Sequence, residues 1–588
     1  MDEQTTTGPD AARADDARSS AGSLWLWALS GLVAGLALSG AMFGLRLLTG
    51  VPSVPEVVQD RLLEILPGQL VGYLIDHLQF SAKPLLLVGW VAGQTAASVL
   101  LAVLVGVAAD HRRARWEPRL LALRGLVIGA AFWLATELLA LPALGVGPLG
   151  ADAPRGMRSA VWSLAAFLLC GLVLVGFRWL LAPSPAVQPG AGSEARRIVS
   201  RRHAIALFAA SGVASFAGAM LWRIVRQMGE HGTPGVRATV SRAQSQQATE
   251  ASATPTSGAV APAITAPATP EATAPATIAA ARPPASASPE PAFEAPDGIS
   301  LEITPNDQFY IVTKNLVDPA VSADGWSLDI TGVVNQPRRF SYQDILGLPA
   351  VDQFTTLECI SNLVGGNLIS NTRWTGVPLA MLLDRVEVQD AAAWVVFTSA
   401  DNYKESLPLD AARQPHTLLA YNMNGSAISD KHGFPLRLLT TGLYGMKNPK
   451  WINRIEVAAQ APTGTWERSG WKPDRGVETM ARYDTRPDQL NAGAPTLLGG
   501  IAFTGDRGVM RVELSTDAGE SWSPAKLKPP LSPFTWVLWS YRWIPPSPGD
   551  YTLQVRAIDS AGTPQKAQKK LSYNTGATGL HSIQVKVV

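Results

Sequence analysis

One short stretch of the chain holds the residues best suited to chemistry. It runs from Thr355 to Asn367 and contains Cys359, one of only two cysteines in 588 residues. The other, Cys170, lies inside an apolar run, so the two cannot easily pair and Cys359 is expected to be a free thiol. A thiolate is a soft donor that suits zinc, copper or a heavier transition metal. The alternative is a small side chain packed in a core.

The surrounding sequence predicts how this thiol is positioned. Residues 355–358 are expected to form a strand that runs into a glycine-bearing loop, so that Cys359 projects from a rigid support. Residues 326–331 and 394–399 read as strands, whereas 340–349 and 379–385 read as short helices. This mixture predicts an α+β domain.

Several motifs around Cys359 occur in an order that resembles the sulfite-oxidase-type molybdopterin-dependent oxidoreductase family. They are Ile303-Thr-Pro-Asn-Asp, Thr356-Leu-Glu-Cys-Ile-Ser-Asn, Trp374-Thr-Gly-Val-Pro-Leu, and the segments 401–408, 419–425, 432–437 and 444–451. The resemblance covers residues 300–588. It implies an α+β molybdopterin-binding domain over residues 300–480.

The resemblance also implies a set of site residues. Cys359 would bind molybdenum as the only bond from protein to metal, and Asn362, grouped with it as catalytic, would fix the cysteine loop or border the metal pocket. The residues implied to bind the molybdenum cofactor are Cys359, Asp401, His432, Arg437, Lys447 and Lys450. For the basic residues the alternative is a solvated basic face. For His432 it is a turn residue, and for Asn362 turn capping.

The sequence of the segment after the motif Ile303-Thr-Pro-Asn-Asp differs from that of the relatives that oxidise sulfite. Those relatives carry an arginine and a histidine there, whereas this chain has residues 309–315 without an arginine. A sulfite dianion needs charge-matched donors. Lys314 and Arg373 are the candidates for that charge, and Tyr310 is either a proton donor or a packing residue. Sulfite oxidation is therefore left open, together with the reductive direction found in relatives that reduce sulfoxides.

Residues 481–588 predict an all-β region. Apolar residues alternate over 509–516, 539–543 and 551–558, with turn residues between these runs. Such short strands are typical of a β-sandwich. The resemblance implies the family's immunoglobulin-like dimerisation domain and hence a homodimer. The alternative is a monomeric lid.

The first 226 residues predict a membrane region behind a cytoplasmic tail of residues 1–23. Five apolar stretches are long enough to cross a bilayer: 24–48, 84–108, 120–146, 160–181 and 204–225. The basic loops at 111–119 and 196–202 are expected to stay inside. With five crossings in residues 24–226, the N-terminus lies in the cytoplasm of a bacterial cell and the later domains lie outside it. Arg201 and Arg202 resemble a twin-arginine export signal, with a positive-inside cluster as the alternative.

The membrane region itself predicts little chemistry. Glu137 is the one acid well inside a stretch, and a single acid supports no proton path. The region is therefore interpreted mainly as an anchor in membrane lipid. Residues 227–299 are rich in Ala, Pro and Thr and predict a disordered linker, which would let the outer domain stand off from the membrane and move.

The prediction is a membrane-anchored, extracytoplasmic molybdenum enzyme that transfers an oxygen atom to or from a small-molecule substrate. The chain has no Cys-x-x-Cys-His motif and no iron–sulfur cysteine set, so electrons need a separate cytochrome or quinone-linked carrier. A net charge of +2 gives no indication of a nucleic-acid partner. Two alternatives are a cofactor-less binding module on the same fold and a membrane region that acts as a transporter or quinone-linked unit.

Overall fold

The computed structural model describes residues 9–67, 70, 73, 82–111, 120–151, 156–181, 193–229, 293–315, 317–471, 476–570 and 575–588. They form a helical N-terminal region, a mixed α+β domain and a β-rich C-terminal region. Most of the predicted linker, residues 230–292, lies outside the described residues, as do residues 1–8 of the predicted tail.

Long apolar helices make up the N-terminal region. Over the described residues they are α1 (Pro9–Thr49), α2 (Val54–Ile65), α3 (Ala82–His111), α4 (Leu121–Ala135), α5 (Gly156–Leu180) and α6 (Ser193–Gly229). A π-helical turn, Thr136–Ala140, and a final turn, Leu141–Ala143, continue α4. Five segments in this described part are long and apolar enough to cross a membrane: Leu24–Thr49, Lys83–Ala108, Leu121–Ala143, Gly156–Leu180 and Ala204–Arg223. Each overlaps one of the predicted stretches.

Small residues let these helices approach closely. A Cβ placed on Gly171 of α5 would lie 2.0 Å from the carbonyl oxygen of Gly125 in α4, so only glycine fits there. Glu137 is buried beside the same helix pair, and the Ser163 hydroxyl donates a hydrogen bond to its Oε1 at 3.1 Å. The acid inside the predicted membrane-spanning stretch therefore has a partner within the helical region.

Two sheets and short helices form the α+β domain. The strands are β1 (Ser327–Gly332), β2 (Arg338–Ser341), β3 (Val351–Glu358), β4 (Ile369–Pro378), β5 (Trp394–Ser399), β6 (Lys404–Pro408), β7 (Leu418–Met423), β8 (Ser426–Ala427), β9 (Arg437–Leu439) and β10 (Ile452–Ala458). The helices are α7 (Tyr342–Leu346), α8 (Leu379–Arg385) and α9 (Leu409–Ala412). One sheet has the order β2-β1-β10-β5-β6 and the other β3-β4-β7-β8, with β9 paired to β7. A shared core that includes Leu328, Phe397, Leu419 and Ile455 joins the two sheets.

The C-terminal region contains two further sheets. Its strands are β11 (Met480–Tyr483), β12 (Gln489–Leu490), β13 (Thr496–Phe503), β14 (Val509–Ser515), β15 (Ser523–Pro524), β16 (Lys526–Leu527), β17 (Val537–Trp543), β18 (Gly549–Asp559) and β19 (His581–Val587). The orders are β11-β13-β17-β16 and β12-β19-β18-β14-β15. One apolar core holds Trp539 from the first sheet and Leu553 from the second, because alternating residues of both sheets point inward. The predicted β-rich region is present.

The helical region contacts the α+β domain through its segment 313–317. Three side chains of the helices donate hydrogen bonds to main-chain oxygens of that segment: Arg46 Nη2 to Val317 at 3.0 Å, Gln59 Nε2 to Lys314 at 2.6 Å, and Lys83 Nζ to Asn315 at 2.9 Å and to Thr313. Lys314 returns an ion pair to Asp60 at 3.0 Å. Val317 shares an apolar cluster with Phe43 and Leu87.

These contacts correct the expectation that the domain stands off from the helices. Hydrogen bonds to main-chain carbonyls leave no signature in the amino-acid composition. The composition of the linker was therefore the only sequence signal for how the domain lies relative to the helices.

Candidate cofactor cavity

A cavity of about 710 Å³ lies where the α+β domain meets the helical region, a volume typical of sites that hold a drug-sized ligand. Six of the seven predicted site residues line it: Cys359, Asn362, Asp401, His432, Arg437 and Lys450. Residues separated by nearly a hundred positions are therefore brought to one cavity by the folding of both sheets, because Cys359 and Arg437 adjoin the second sheet and Asp401 and Lys450 adjoin the first.

Cys359 stands where β3 ends, as the sequence predicts. Its N–H donates to the Leu368 carbonyl at 2.9 Å, and its own carbonyl accepts from Asn362 at 2.9 Å, so both sides of the loop are tied together. Asn362 is fully buried, with its Nδ2 donating to Glu358 Oε1 at 2.9 Å and its Oδ1 accepting from Leu368 N at 3.0 Å. Both ends of the Asn362 amide are used by the loop, which favours the loop-fixing alternative for this residue.

The cysteine is a buried thiol. Burial raises the pKa of Cys359 to about 11, and hydrogen bonds from Ser361 only partly oppose that rise. Binding of a metal would release this proton. Across the described residues no three His, Cys, Asp or Glu side chains form a metal-binding group, so the thiol is the soft ligand that this cavity offers.

Residues of the C-terminal region hold the loop that follows Cys359, here called the cysteine loop. Arg482 Nη1 donates to the Gly366 carbonyl, and Arg486 Nη2 donates to the Gly365 carbonyl at 3.1 Å. Gly365 has a φ of +80°, and a Cβ there would lie 2.5 Å from His581 Nε2, so the position requires glycine. The loop that carries the thiol is thus held by residues of β11, β19 and the segment after β11.

Arg437 is the strongest candidate for binding an anionic group. Its Nη1 donates to the His432 carbonyl at 3.0 Å and its Nη2 to Asn448 at 3.3 Å, and its guanidinium lies 5.0 Å over the ring of Trp374. Burial lowers the pKa of Arg437 to about 10. Its buried Nε has no hydrogen-bond partner. A buried cation with an unused donor on a cavity wall fits an anionic ligand, such as the phosphate of a pterin cofactor.

His432 is held in one tautomer beside Arg437. Its Nε2 lies 3.1 Å from the carbonyl of Asn306, which can only accept, so Nε2 carries the proton. Burial, and next to it the charge of Arg437, lowers the pKa of His432 to about 3. A neutral ring of this kind suits the polar edge of a pterin.

Lys450 and Asp401 complete the polar wall. Lys450 Nζ donates to the Lys431 carbonyl at 2.9 Å and lies 4.3 Å over the ring of Trp451, and burial lowers the pKa of Lys450 to about 8. Asp401 accepts from Asn315 Nδ2 at 3.0 Å and from the N–H of Tyr403 at 3.1 Å. An anion in the cavity would return Lys450 toward its ordinary pKa.

Lys447 is placed elsewhere, and its predicted role as a cofactor ligand finds no support in the geometry. Its ammonium donates to Glu405 at 2.6 Å, to Glu467 at 3.2 Å and to the Ser406 carbonyl at 3.3 Å. All three ammonium hydrogens are used, and Lys447 is not among the cavity-lining residues. Its two acidic partners lie 20 and 42 positions away along the chain, so the local charge pattern did not reveal them.

The two candidates for binding a sulfite-like anion also differ from expectation. Lys314 lines the cavity, but its ammonium is paired with Asp60. Arg373 is not a lining residue, is about two-fifths exposed and lies 4.0 Å from Asp352. Tyr310 does line the cavity. Burial raises its pKa well above the ordinary value, so its hydroxyl remains a donor at neutral pH.

The sequence did not point to Gln59 and Lys83, which line the cavity, or to Glu358, which accepts a hydrogen bond from Asn362 beside it. Glu358 sits beside Cys359 and is fully buried, and burial raises its pKa to about 8. Its position inside the cysteine motif was the available signal. Gln59 and Lys83 belong to the helical region, where no local pattern marks them as part of a distant cavity.

The known proteins that are similar to this chain include oxidoreductases. Residues 315–466 match the family model described as "Oxidoreductase molybdopterin binding domain". The chain is 30% identical over 146 residues to the uncharacterized oxidoreductase YuiH of Bacillus subtilis, covering 25% of this chain and 72% of that protein.

Two sulfite oxidases are also similar. The mitochondrial sulfite oxidase of Drosophila melanogaster is 28% identical over 358 residues, with 50% of this chain and 61% of that protein covered, and the human one is 29% identical over 308 residues, with 44% and 56% covered. The chain thus spans about three-fifths of the length of these curated relatives.

Among solved structures, the sulfane dehydrogenase SoxCD of Paracoccus pantotrophus is 24% identical, with 49% of this chain and 82% of that chain covered, at a TM-score of 0.45.

Fold and cavity define the class as an oxidoreductase built around a molybdopterin-binding domain. Within that class the chain belongs to the sulfite-oxidase-type family of molybdopterin-dependent oxidoreductases, whose cofactor is the molybdenum cofactor. The buried thiol and the unpartnered Nε of Arg437 fit that cofactor.

Proposed function

We propose that this protein is a membrane-anchored molybdenum enzyme that transfers an oxygen atom to or from a small-molecule substrate outside the cytoplasm. The observation that carries the proposal is that Cys359 and Arg437, whose buried Nε has no hydrogen-bond partner, line one cavity. When bound there, the molybdenum cofactor supplies two-electron oxygen-atom transfer. The residues of the chain bind it, orient it and control its surroundings.

Each polar residue of the cavity has a proposed task. Cys359 would provide the single bond to the metal. Arg437 and Lys450 would hold the cofactor's anionic end, with His432 and Asp401 against its polar edge. Tyr310, kept protonated by burial, would donate a hydrogen bond to an oxygen on the substrate. Both the oxidising and the reducing direction remain compatible with these tasks.

The substrate is proposed to differ from a small dianion such as sulfite. Lys314 is neutralised by Asp60, and Arg373 does not line the cavity. A dianion would need an additional pair of donors near the metal. A sulfoxide, which is neutral, fits the side chains that line the cavity better.

The apolar helices and the β-rich region support a proposed location and a proposed assembly. The five segments that are long enough to cross a membrane would place the N-terminus inside and the cavity outside. The two C-terminal sheets would form an immunoglobulin-like domain that pairs two chains. Arg201 and Arg202 lie within α6, and their proposed role as an export signal is a separate prediction. Reporter fusions at both termini and light scattering of the purified protein test topology and dimer.

The central experiment is the molybdenum content of the full chain beside a Cys359→Ser variant, both made in a host that synthesises the cofactor. We expect close to one metal per chain in the parent and a loss of at least tenfold in the variant. A folded parent without metal would overturn the proposal and leave the cofactor-less binding module. A parent with metal would then be screened against sulfoxides, N-oxides and sulfite with artificial carriers.

A further inference from the structure

The cavity has a wall that does not come from the molybdopterin-binding domain. Six residues of the helical region line the cavity together with residues of the domain. They are Gln59 and Leu62 from α2, Leu66 directly after α2, and Lys83, Leu85 and Leu86 from the start of α3. Four of these six side chains are leucines. The wall is therefore apolar, unlike the polar wall formed by Arg437, Lys450 and Asp401.

This wall is built into the site by specific contacts. Gln59 and Lys83 donate to main-chain oxygens of segment 313–315, which itself lines the cavity. Lys314 is paired with Asp60 of α2. These contacts fix the leucines beside the cavity, because their neighbours in α2 and α3 are tied to the domain.

The leucine wall is continuous with the surface that would face lipid. Leu85 is 56% exposed and Leu86 42% exposed, and both lie within the Lys83–Ala108 segment. Further along the same helix, Leu100 and Leu104 are similarly exposed. Leu85 and Leu86 therefore present apolar surface both to the cavity and to the outside of the helical region, where an apolar molecule dissolved in a bilayer would meet them.

One polar atom on this wall lacks a partner. Gln59 is more than nine-tenths buried, and its Oε1 has no hydrogen-bond donor. Its Nε2 must face the Lys314 carbonyl, because a carbonyl only accepts, so the amide orientation leaves Oε1 as the unpaired acceptor. A ligand that fits this place is apolar over most of its surface and carries a hydroxyl donor.

We infer that the wall formed by α2 and α3 binds a bilayer-dissolved quinone, which is the electron partner of the metal. In the quinol form, a hydroxyl group of this ligand donates a hydrogen bond to Gln59 Oε1. The inference rests on the proposed function. In the oxidising direction, substrate, water and quinone give oxygenated substrate and quinol. In the reducing direction, oxygenated substrate and quinol give substrate, water and quinone. Two electrons and two protons are exchanged either way, and no other carrier is needed.

The test uses the full holoprotein in nanodiscs of phosphatidylethanolamine and phosphatidylglycerol. An azido-ubiquinone photolabel followed by peptide mapping reports binding, and it does not require activity. We expect saturable labelling of peptides that contain α2 or the start of α3, with displacement by decylubiquinone. The double variant Leu85→Ser/Leu86→Ser should lose at least tenfold in labelling. The matched control Leu100→Ser/Leu104→Ser, on the same helix with similar exposure, should label like the parent.

A second measurement follows the electrons. Dithionite-reduced protein is mixed with decylubiquinone, and oxidised protein with decylubiquinol, while the absorption of the metal–thiolate centre is recorded. At least one of the two directions is downhill, so exchange is expected in one of them and should slow about tenfold in Leu85→Ser/Leu86→Ser. In the control Leu100→Ser/Leu104→Ser, exchange with decylubiquinone and with a soluble acceptor such as ferricyanide should both match the parent.

The outcomes separate the inference from the proposed function. A protein that contains molybdenum and reacts with ferricyanide but exchanges no electrons with quinone in either direction overturns the inference and leaves the function intact. Labelling that is unsaturable, or that maps away from α2 and α3, also overturns it. A protein without molybdenum refutes the proposed function, while the labelling still reports whether the quinone site exists.

Discussion

The two sides of the cavity are held in place by different means. On one side, the cysteine loop rests on the C-terminal sheets through Arg482, Arg486 and His581. On the other side, segment 313–317 is held by helices through Gln59 and Lys83 among others. Both supports act mainly on main-chain carbonyls, but the first belongs to a region that follows the domain in sequence and the second to one that precedes it.

We expect the support of the cysteine loop and the support of segment 313–317 to have different roles. The thiol side must keep one geometry for the metal, and a β-rich region with a dense core of Trp539, Tyr483 and Leu553 provides a rigid base. The opposite side must admit a ligand, and it is held by a few polar contacts at helix ends. We expect damage to the first support to cost metal and stability, and damage to the second to cost ligand access.

The largest effect is expected for Arg482→Ala. Arg482 is buried, donates to the Gly366 carbonyl and pairs with the buried Asp484 at 2.8 Å. Removing one partner of a buried pair leaves an uncompensated charge, so we expect a loss of about 3 kcal/mol in stability and a several-fold drop in molybdenum content. Thermal unfolding and metal analysis measure both. Arg486→Ala removes only an exposed hydrogen bond to the same loop and is the matched control; equal losses in the two variants would contradict the role given to Arg482.

A smaller and different effect is expected for Gln59→Leu on the helical side. The variant leaves the Lys314 carbonyl without its donor, a loss of about 1 to 2 kcal/mol. Molybdenum content should stay at the parental value, because the thiol side is untouched. Gln414→Leu, which loses an exposed hydrogen bond at 3.3 Å, is the control and should change stability by less than about 0.5 kcal/mol. A loss of metal in Gln59→Leu would erase the proposed distinction between the two supports.

Acid should weaken the C-terminal support. The N–H of Tyr483 donates to His581 Nδ1 at 2.9 Å, and burial, with Arg486 and Arg482 nearby, lowers the pKa of His581 to about 4. The unfolded chain takes up this proton near pH 6.5 and the folded one only near pH 4. Stability is therefore complete above pH 6.5 and falls as the pH drops from 6.5 toward 4, by about 1 kcal/mol after solvent screening.

The variant His581→Asn tests this assignment. Its side-chain oxygen can still accept from Tyr483 but does not titrate in this range. The fall in melting temperature between pH 7 and pH 4.5 should be smaller than in the parent. An unchanged pH dependence would show that other groups cause it.

The smallest effect is expected for Arg373→Ala. Arg373 is partly exposed, and its closest acidic atom, on Asp352, is 4.0 Å away. An exposed pair at that distance contributes little, so stability should change by less than about 0.5 kcal/mol, and metal content and turnover should match the parent. A large rise in KM would place Arg373 at the substrate after all.

Much of the fold could be predicted from local patterns. The strand expected at 394–399 is β5, and the alternating run from residue 509 is β14. Cys359 was expected where a strand meets a loop, and it stands directly after β3. Such elements follow from apolar periodicity and turn residues, which act over a few positions.

The cavity could be predicted only in part. Ordered motifs indicated Cys359, His432 and Arg437, because these residues belong to contiguous segments. The pairing of Lys447 with Glu405 and Glu467, and the contacts of Gln59 and Lys83 with segment 313–315, join distant parts of the chain. Hydrogen bonds to main-chain carbonyls require no particular residue in the acceptor, so they leave no signature there.

The placement of α2 and α3 on the cavity also has a consequence for the order in which we expect the protein to mature. These helices are synthesised long before Cys359, yet the wall that they form stands beside the space that the cofactor must enter. We expect the domain to fold around its cofactor first and to dock onto the helices afterwards. Docking would then retain the cofactor, and release would require separation of the helices from segment 313–317. A detergent that separates them would free the pterin from a domain that is otherwise still folded.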